Sequence, residues 1–338
     1  MLAPGRRVSC YYTTAREQTM KLDEALKTSL DELRMQMLGA QVLLGFEFQG
    51  IFQDGFMAVP AICRSVDAIG LALMVVAIGL MIAVPCQHRI VEGGESTIRL
   101  YLTSKRYAEV ALLPLAAGMG CNVLVAAAQP FGVTLAAIVA ILAFCVAIAA
   151  WYCLGVVLRR HWAVRLPEVP MKDKKTPLHA KIEQMLTEAR VILPGVQALL
   201  GFQFVVMLTK AFDQLPPTVR MAHFVALICL VLAIVLLISP AAIHRITFGG
   251  NDDPRLHSTG SVLIAVALFP LALGLSCDLW VSLTRLLGTG KLVLAGAVSG
   301  FALLVTLWYL VPLYMRRRHP AAEYRRAGRA QERAHGGT

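Results

Sequence analysis

Long apolar segments recur along the chain and constrain its fold more than any other feature. Each holds about 20 residues, the length of helix that crosses the apolar core of a lipid bilayer. Their approximate ranges are 38–58, 66–86, 108–128, 134–157, 192–212, 222–243, 261–284 and 293–315. The sequence therefore predicts an all-α, polytopic membrane protein with eight transmembrane helices.

Composition agrees with this prediction and excludes other classes. Hydrophobic residues make up 57% of the 338 residues and charged residues only 16%, whereas about a quarter of a soluble domain is charged. An ordinary soluble enzyme, a disordered chain and a fibrous protein are excluded. The net charge of +11 lies between the apolar segments and in the C-terminal tail, as in cytoplasmic loops that face anionic lipid. We predict the lipid bilayer as a partner, and no nucleic acid.

Basic residues are distributed unevenly between the loops. They concentrate before span 1, between spans 2 and 3, between spans 4 and 5, and after span 8, where Arg316, Arg317 and Arg318 follow one another. The alternate loops hold few. Because cytoplasmic loops are enriched in Lys and Arg, we expect a multi-pass protein with both termini in the cytoplasm.

The two halves of the chain repeat each other at an offset of 156 residues. Residues 32–48 and 188–204 share nine identities in 17 positions. Three further motifs recur: His88-Arg89 with Gly93-Gly94 as His244-Arg245 with Gly249-Gly250; residues 111–121 as 267–277; and Trp151-Tyr152 as Trp308-Tyr309, at offset 157. This pattern predicts two parallel four-helix repeats, related by a pseudo-twofold axis along the membrane normal.

The repeat also predicts the domain boundaries. They are an N-terminal cytoplasmic segment (1–21), a first membrane repeat (22–160), a cytoplasmic linker (161–177), a second membrane repeat (178–317) and a basic cytoplasmic tail (318–338).

The repeated motifs resemble a family of small bacterial membrane proteins built from one four-helix unit, known only as a domain of unknown function. The resemblance rests on the Glu-x-Arg…Gly-x-Gln…Gly-Phe pattern of the first helix and on the His-Arg pair. It implies a fused tandem pair in a bacterial cytoplasmic (inner) membrane. Some members carry an automatic sodium:proton antiporter label, which implies a small ion or proton as substrate. If single-unit relatives dimerise, the fusion would be a covalent pseudo-dimer, and self-association of this chain stays open.

Polar residues in spans 1 and 5 are the candidates for a proton or ion path. They are Glu47, Gln41, Gln197 and Gln203. Glu47 should lie near the middle of the membrane, where an ionisable side chain is by default a functional hypothesis, and we predict that it carries a proton. Its counterpart, Gln203, does not titrate. The alternative is a carboxyl group that stays protonated or hydrogen-bonds a neighbouring Gln. We expect spans 1 and 5 to lie near the interface of the halves.

Charged residues at the cytoplasmic ends of the helices are candidates for a gate. They are Glu32, Arg34, His88, Arg89, Glu188, Arg190, His244 and Arg245. We expect His88 and Arg89 to pair with Glu32, and His244 and Arg245 to pair with Glu188. The alternative is structural anchoring, because cations favour helix C-termini. The Trp-Tyr pairs fit an interfacial aromatic belt.

Two functions remain open. The chain lacks the enzyme motifs HExxH and GxSxG, a complete P-loop and a dinucleotide fingerprint, so we predict no enzyme, cofactor or metal site. Our leading prediction is a transporter of ions or small solutes, coupled to protons through Glu47. The alternative is a non-transporting membrane scaffold or accessory protein.

Overall fold

A computed structural model describes residues 22–161 and 176–318, and within these ranges the chain is helical and holds no strand. The helices are α1 (Leu22–Gly50), α2 (Ala61–Ile90), α3 (Ile98–Ile148), α4 (Leu154–His161), α5 (Leu178–Met207), α6 (Lys210–Asp213), α7 (Pro217–Ile246), α8 (Pro254–Leu287), α9 (Lys291–Val305) and α10 (Val311–Arg318). A 3-10 turn (Asp54–Ala58) follows α1. Two π turns (Ala149–Cys153 and Thr306–Leu310) join α3 to α4 and α9 to α10. The predicted segment 1–21, nearly all of the predicted linker and the tail from residue 319 lie outside the described residues.

Six helices are long and apolar enough to cross a membrane. They are α2, α3 with its continuation to Leu158, α5, α7, α8 and the run Lys291–Arg318. Helix α1 is not among them, and α3 holds two predicted spans in one element. The prediction for span 1 was also wrong at its end, because α1 stops at Gly50 rather than continuing to residue 58.

Helix α3 folds back on itself at Gly132. This residue has φ 78° and ψ 162°, which are not helical angles. A Cβ atom added to Gly120 would lie 3.5 Å from the carbonyl oxygen of Ala140, although 20 residues of straight helix span about 30 Å. The equivalent Gly288, with φ 83° and ψ −178°, ends α8 before α9. Each half therefore contains a helical hairpin that turns at a glycine with positive φ.

Close helix crossings recur within the two halves. A Cβ atom at Gly118 of α3 would lie 3.4 Å from the carbonyl oxygen of Gly70 in α2. The equivalent Gly274 of α8 lies as close to the carbonyl oxygen of Ala226 in α7, at 3.3 Å. Small residues allow two backbones to approach in this way. The α2–α3 and α7–α8 pairs thus pack through equivalent positions.

A tyrosine in each π turn closes the hairpin of its half. The hydroxyl of Tyr152 donates to the carbonyl of Glu109 (2.5 Å), and that of Tyr309 donates to the carbonyl of Ala265 (2.6 Å). These tyrosines and these carbonyls occupy equivalent positions of the sequence repeat. The two halves therefore fold alike internally.

Helices α1 and α5 pack against each other and form much of the contact between the halves. The Phe46 and Phe202 rings are 4.6 Å apart, and Gly195 lies directly against Gln41. This agrees with the predicted placement of spans 1 and 5 at the interface of the halves.

Candidate functional site

A buried polar cluster lies among α1, α2 and α3 in the first half. Glu47, Asp67 and Asn122 contribute to it, and both carboxyl side chains are buried. The Asn122 amide donates to Oε2 of Glu47 over 3.4 Å. Asp67 is near enough for its charge to act on Glu47. Oε1 of Glu47 and Oδ2 of Asp67 have no hydrogen-bond partner.

Gly70 leaves room for this cluster because it has no side chain. A Cβ atom on Gly70, one helical turn after Asp67, would lie 3.0 Å from Oε1 of Glu47 and 3.5 Å from Oδ1 of Asn122. Two carboxylates in an apolar surrounding repel each other, and a shared proton or a bound cation relieves that repulsion. The arrangement can therefore hold a proton or a small cation.

The second half carries a cluster at the three equivalent positions, formed by Gln203, His223 and Asp278. Nε2 of Gln203 donates to Oδ2 of Asp278 over 2.5 Å. The His223 ring lies with Nδ1 3.7 Å from Oδ1 of Asp278 and with Nε2 3.2 Å from the carbonyl oxygen of Gln203. All three side chains are buried. This cluster is held together by more hydrogen bonds than its counterpart.

The carboxyl group and the amide come from opposite helices in the two clusters. In the first half α1 supplies the carboxyl group (Glu47) and α3 supplies the amide (Asn122). In the second half α5 supplies the amide (Gln203) and α8 supplies the carboxyl group (Asp278). A pair of one carboxyl and one amide is thus present in each half. The first half adds an acid at Asp67, where the second half has His223.

A small cavity adjoins the second cluster at the interface of the halves. Its lining includes Gln203, His223 and Asp278 together with Phe48 and Phe52 of the first half. About 10 Å³ is open to the centre of a water molecule, which is room for about one water. Gln203, a predicted path residue, lines it, whereas Glu47 does not.

A buried ion pair at the predicted cytoplasmic end joins the halves. Glu188 of α5 contacts Nδ1 of His88 and accepts a hydrogen bond from Nε of Arg89, both at the end of α2. Arg89 also donates to the hydroxyl of Ser261 over 3.2 Å. The side chains of Glu188, His88 and Arg89 are all buried.

The predicted gate pairs were therefore wrong in their partners. His88 and Arg89 pair with Glu188 of the other half and not with Glu32, which is exposed. Among the described residues, Glu188 forms no hydrogen bond or ion pair with His244 or Arg245. The predictions assumed that each half closes on itself, whereas α5 packs against the first half and carries Glu188 to α2.

The other predicted site residues lie apart from these clusters. Gln41 is fully buried against Gly195, and neither of its amide atoms has a partner. Its counterpart Gln197 is exposed. Arg34 is half-buried and Arg190 exposed.

A neighbouring surface pair continues the contact between the halves outside the predicted spans. Nζ of Lys27 lies 2.6 Å from Oε1 of Glu183. The hydrogen bond to this carboxylate raises the pKa of Lys27 above its ordinary value.

Sequence reasoning did not include Asp67, His223 or Asp278 among the candidate site residues. Positions 67 and 223 carry different residues, so the repeat did not mark them. A signal was nevertheless present, because each is an ionisable residue in a helix that is apolar enough to span a membrane. The predicted aromatic belt was wrong for Trp308, which is fully buried.

The fold and the clusters define a class: a helical protein suited to a membrane, with a buried ionisable cluster in each of two halves. A model of a family of unknown function (DUF6328) matches the chain twice, over residues 15–155 and 173–312. The chain belongs to this family, and the two matches are consistent with a tandem duplication of its domain. No curated protein and no solved structure matches the chain.

Proposed function

We propose that the protein is a transporter of ions or small solutes in a bacterial cytoplasmic membrane, coupled to protons in the manner of a sodium:proton antiporter. One observation carries the proposal: Glu47 and Asp67 are both buried, and each has a carboxyl oxygen without a partner. Gly70, one helical turn after Asp67, lies directly against Glu47. Ionisable residues at membrane depth are costly and mark ion or proton pathways.

The proposal includes a topology of eight membrane passes with both termini in the cytoplasm. The glycine turn at Gly132 supports it, because the two parts of α3 run in opposite directions. Each is long enough to cross when the second part is taken with its continuation to Leu158. Helix α1 would supply the remaining pass. Its polar residues lower its hydropathy but face protein rather than lipid at Gln41 and Glu47.

The chemistry would be an exchange at the first cluster. A proton leaves the Glu47–Asp67 pair as a cation enters, and the negative charge freed by the proton is neutralised by the cation. The Asn122 amide, which donates to Glu47, orients the carboxylate. The Glu188 ion pair with His88 and Arg89 would hold the cytoplasmic ends of the halves together in the closed state.

The test is cation-driven proton flux in proteoliposomes under sodium, potassium or lithium gradients. We expect flux in the wild type and its loss in Glu47→Gln. Asp31→Asn is the matched control, because Asp31 is an exposed carboxyl group on the same helix and its removal should leave flux unchanged. Flux that survives in Glu47→Gln would remove Glu47 from the mechanism.

One observation favours the second candidate, a non-transporting scaffold. The cavity beside the second cluster has room for about one water molecule, so a solute larger than a small ion does not fit there. A folded wild type that moves none of the three cations would support the scaffold and end the antiport proposal.

A further inference from the structure

The contacts that join non-equivalent positions of the two halves run in one direction, whereas Lys27–Glu183 and Phe46–Phe202 join equivalent positions. On the first half the one-directional contacts involve Gln41, Gly45, Gly79, His88 and Arg89, and on the second half Gly195, Phe202, Trp308 and Glu188. Glu188 binds the His-Arg pair, Trp308 donates to the carbonyl of Gly79, Gly195 packs on Gln41, and Phe202 packs on Gly45.

The reciprocal contacts are not formed, although the chain repeats the residues needed for them at every position except 235, where Val stands in place of Gly79. They would join Gln197, Gly201, Val235, His244 and Arg245 of the second half to Gly39, Phe46, Trp151 and Glu32 of the first. A true twofold axis between the halves would form both sets equally. The predicted pseudo-twofold relation therefore does not describe these contacts.

The unformed set lies open on the surface. Glu32 and Arg245 are exposed, and His244 is half-buried. Trp151 is 37% exposed and Val235 54%. Gly39 and Gly201 have nothing within 4 Å of where a Cβ atom would be. Phe46 touches Phe202 with part of its ring and is still 58% exposed.

Sequence divergence between the halves does not explain why only one of the two sets of contacts forms. The contacts within each half are duplicated: the tyrosine hydrogen bonds, the glycine crossings and the hairpin glycines occur twice. The interface side chains are also retained, since Glu32, Gly39, Phe46 and Trp151 are identical to their counterparts Glu188, Gly195, Phe202 and Trp308. Gly79, which contributes its backbone carbonyl, is replaced by Val235. The fold is conserved between the halves, but each of the two contact surfaces is buried in one half and exposed in the other.

In this interface one surface of the first half binds a different surface of the second half. Each half therefore keeps one of the two surfaces unoccupied. Such a heterologous contact closes when further units complete a ring. Here the first half has a free Glu32–Trp151 face and the second half a free Val235–Arg245 face. Two chains in one membrane, with the same orientation, would supply two further contacts and a ring of four halves.

We propose that two copies of this chain form a closed homodimer through these faces. Glu32 of each copy binds His244 and Arg245 of the other, as Glu188 binds His88 and Arg89 within the chain. The indole of Trp151 donates to the backbone carbonyl of Val235, and Gly39 and Gly201 receive Gln197 and Phe46. Acidic and basic residues meet, so the charges on the two faces are complementary.

A reciprocal charge exchange tests the dimer without reference to transport. The full chain is labelled with donor or acceptor fluorophores, and its dimerisation is followed by energy transfer in vesicles at increasing lipid dilution. Glu32→Arg and Arg245→Glu should each weaken dimerisation at least about tenfold, because each places like charges together at the contact. The double variant pairs the charges again and should recover to within about threefold of wild type.

Controls separate the surface from the fold. Lys210→Glu reverses an exposed charge outside the proposed faces and should leave dimerisation unchanged. Trp151→Ala tests the apolar part of the surface and should also weaken it. Each variant is checked by circular dichroism for native helix content.

Three outcomes would overturn the proposal. A wild type that stays monomeric at the highest protein density rules out the dimer. A dimer that is insensitive to both charge reversals and to Trp151→Ala uses another surface. Native mass spectrometry that finds a complex of three or more chains contradicts a ring closed by two.

Discussion

The indole N–H of Trp308 donates to the backbone carbonyl of Gly79 over 2.9 Å and so joins the last helical segment of the second half to α2 of the first. Trp308 is fully buried, whereas its counterpart Trp151 is 37% exposed. One residue type at one repeat position therefore has two environments. The energetic consequences of the interface between the halves can be measured by comparing such pairs.

Trp308→Ala should destabilise the protein by about 3–5 kcal/mol, because it opens a cavity and leaves the Gly79 carbonyl without its donor. Trp151→Ala, measured in detergent at concentrations where the chain is monomeric, should cost less than about 1 kcal/mol. Denaturant or thermal unfolding followed by circular dichroism gives both values. Equal losses would contradict the one-directional interface.

Glu188→Ala should destabilise the chain by about 3–5 kcal/mol, because the positive charge of Arg89 would remain buried without its carboxylate. Glu32→Ala is the matched control, since Glu32 is exposed at the equivalent position of the repeat, and should change the free energy of unfolding by less than about 0.5 kcal/mol in the monomer. The unfolding midpoints of the two variants check this. A Glu188→Ala protein as stable as wild type would show that the ion pair does not stabilise the interface.

Much of the fold was predictable from the sequence, because it depends on the composition of individual helices and on the internal repeat. Apolar runs predicted the helical membrane class, and the repeat predicted the family duplication and the central position of α1 and α5. The burial of Glu47 followed from its place in an apolar run. Each of these properties depends on local sequence or on comparison of the chain with itself.

The partners of the site residues were not predictable in this way. Glu32 and Glu188 are in the same local sequence, so nothing distinguishes the exposed residue from the buried one until α5 packs on the first half. Asp67 and His223 differ from each other, which concealed them from a search for repeats. The pairings between the halves depend on which of two similar surfaces becomes buried, and this is determined by tertiary packing.

Gly195→Ala should destabilise the interface by about 1–3 kcal/mol, because the added methyl group would overlap the buried side chain of Gln41. Gly39→Ala is the control at the equivalent position, where nothing lies within 4 Å of the added atom, and should be neutral or slightly stabilising in the monomer. Thermal melts in detergent measure both. Similar losses for the two variants would refute the difference in packing.

Gly132→Ala and Gly288→Ala should each cost about 1–3 kcal/mol, because both glycines have positive φ with extended ψ, a conformation that side chains with a Cβ atom disfavour. Gly290→Ala tests whether any glycine in these turns is needed: its φ is 178°, which is extended backbone that any residue adopts. We expect Gly290→Ala to be close to wild type in an unfolding titration. A neutral Gly132→Ala would mean that the hairpin does not turn at this residue.

The exchanged carboxyl and amide roles of the two clusters give the sharpest test of the proposed proton site. Glu47→Gln leaves an amide opposite Asn122 and should abolish cation-driven proton flux. Adding Asn122→Asp returns a carboxyl group to the Glu47–Asn122 pair, now in the order found at Gln203 and Asp278. It should recover part of the flux because the cluster again holds two carboxyl groups, one of them Asp67. The proteoliposome assay compares the single and double variants at equal reconstitution. If flux requires a second carboxyl group beside Asp67, the double variant is active. An inactive but folded double variant would mean that the position of the carboxyl group on α1 is itself essential. An active Glu47→Gln would remove Glu47 from the mechanism and leave Asp67 as the acid of this cluster.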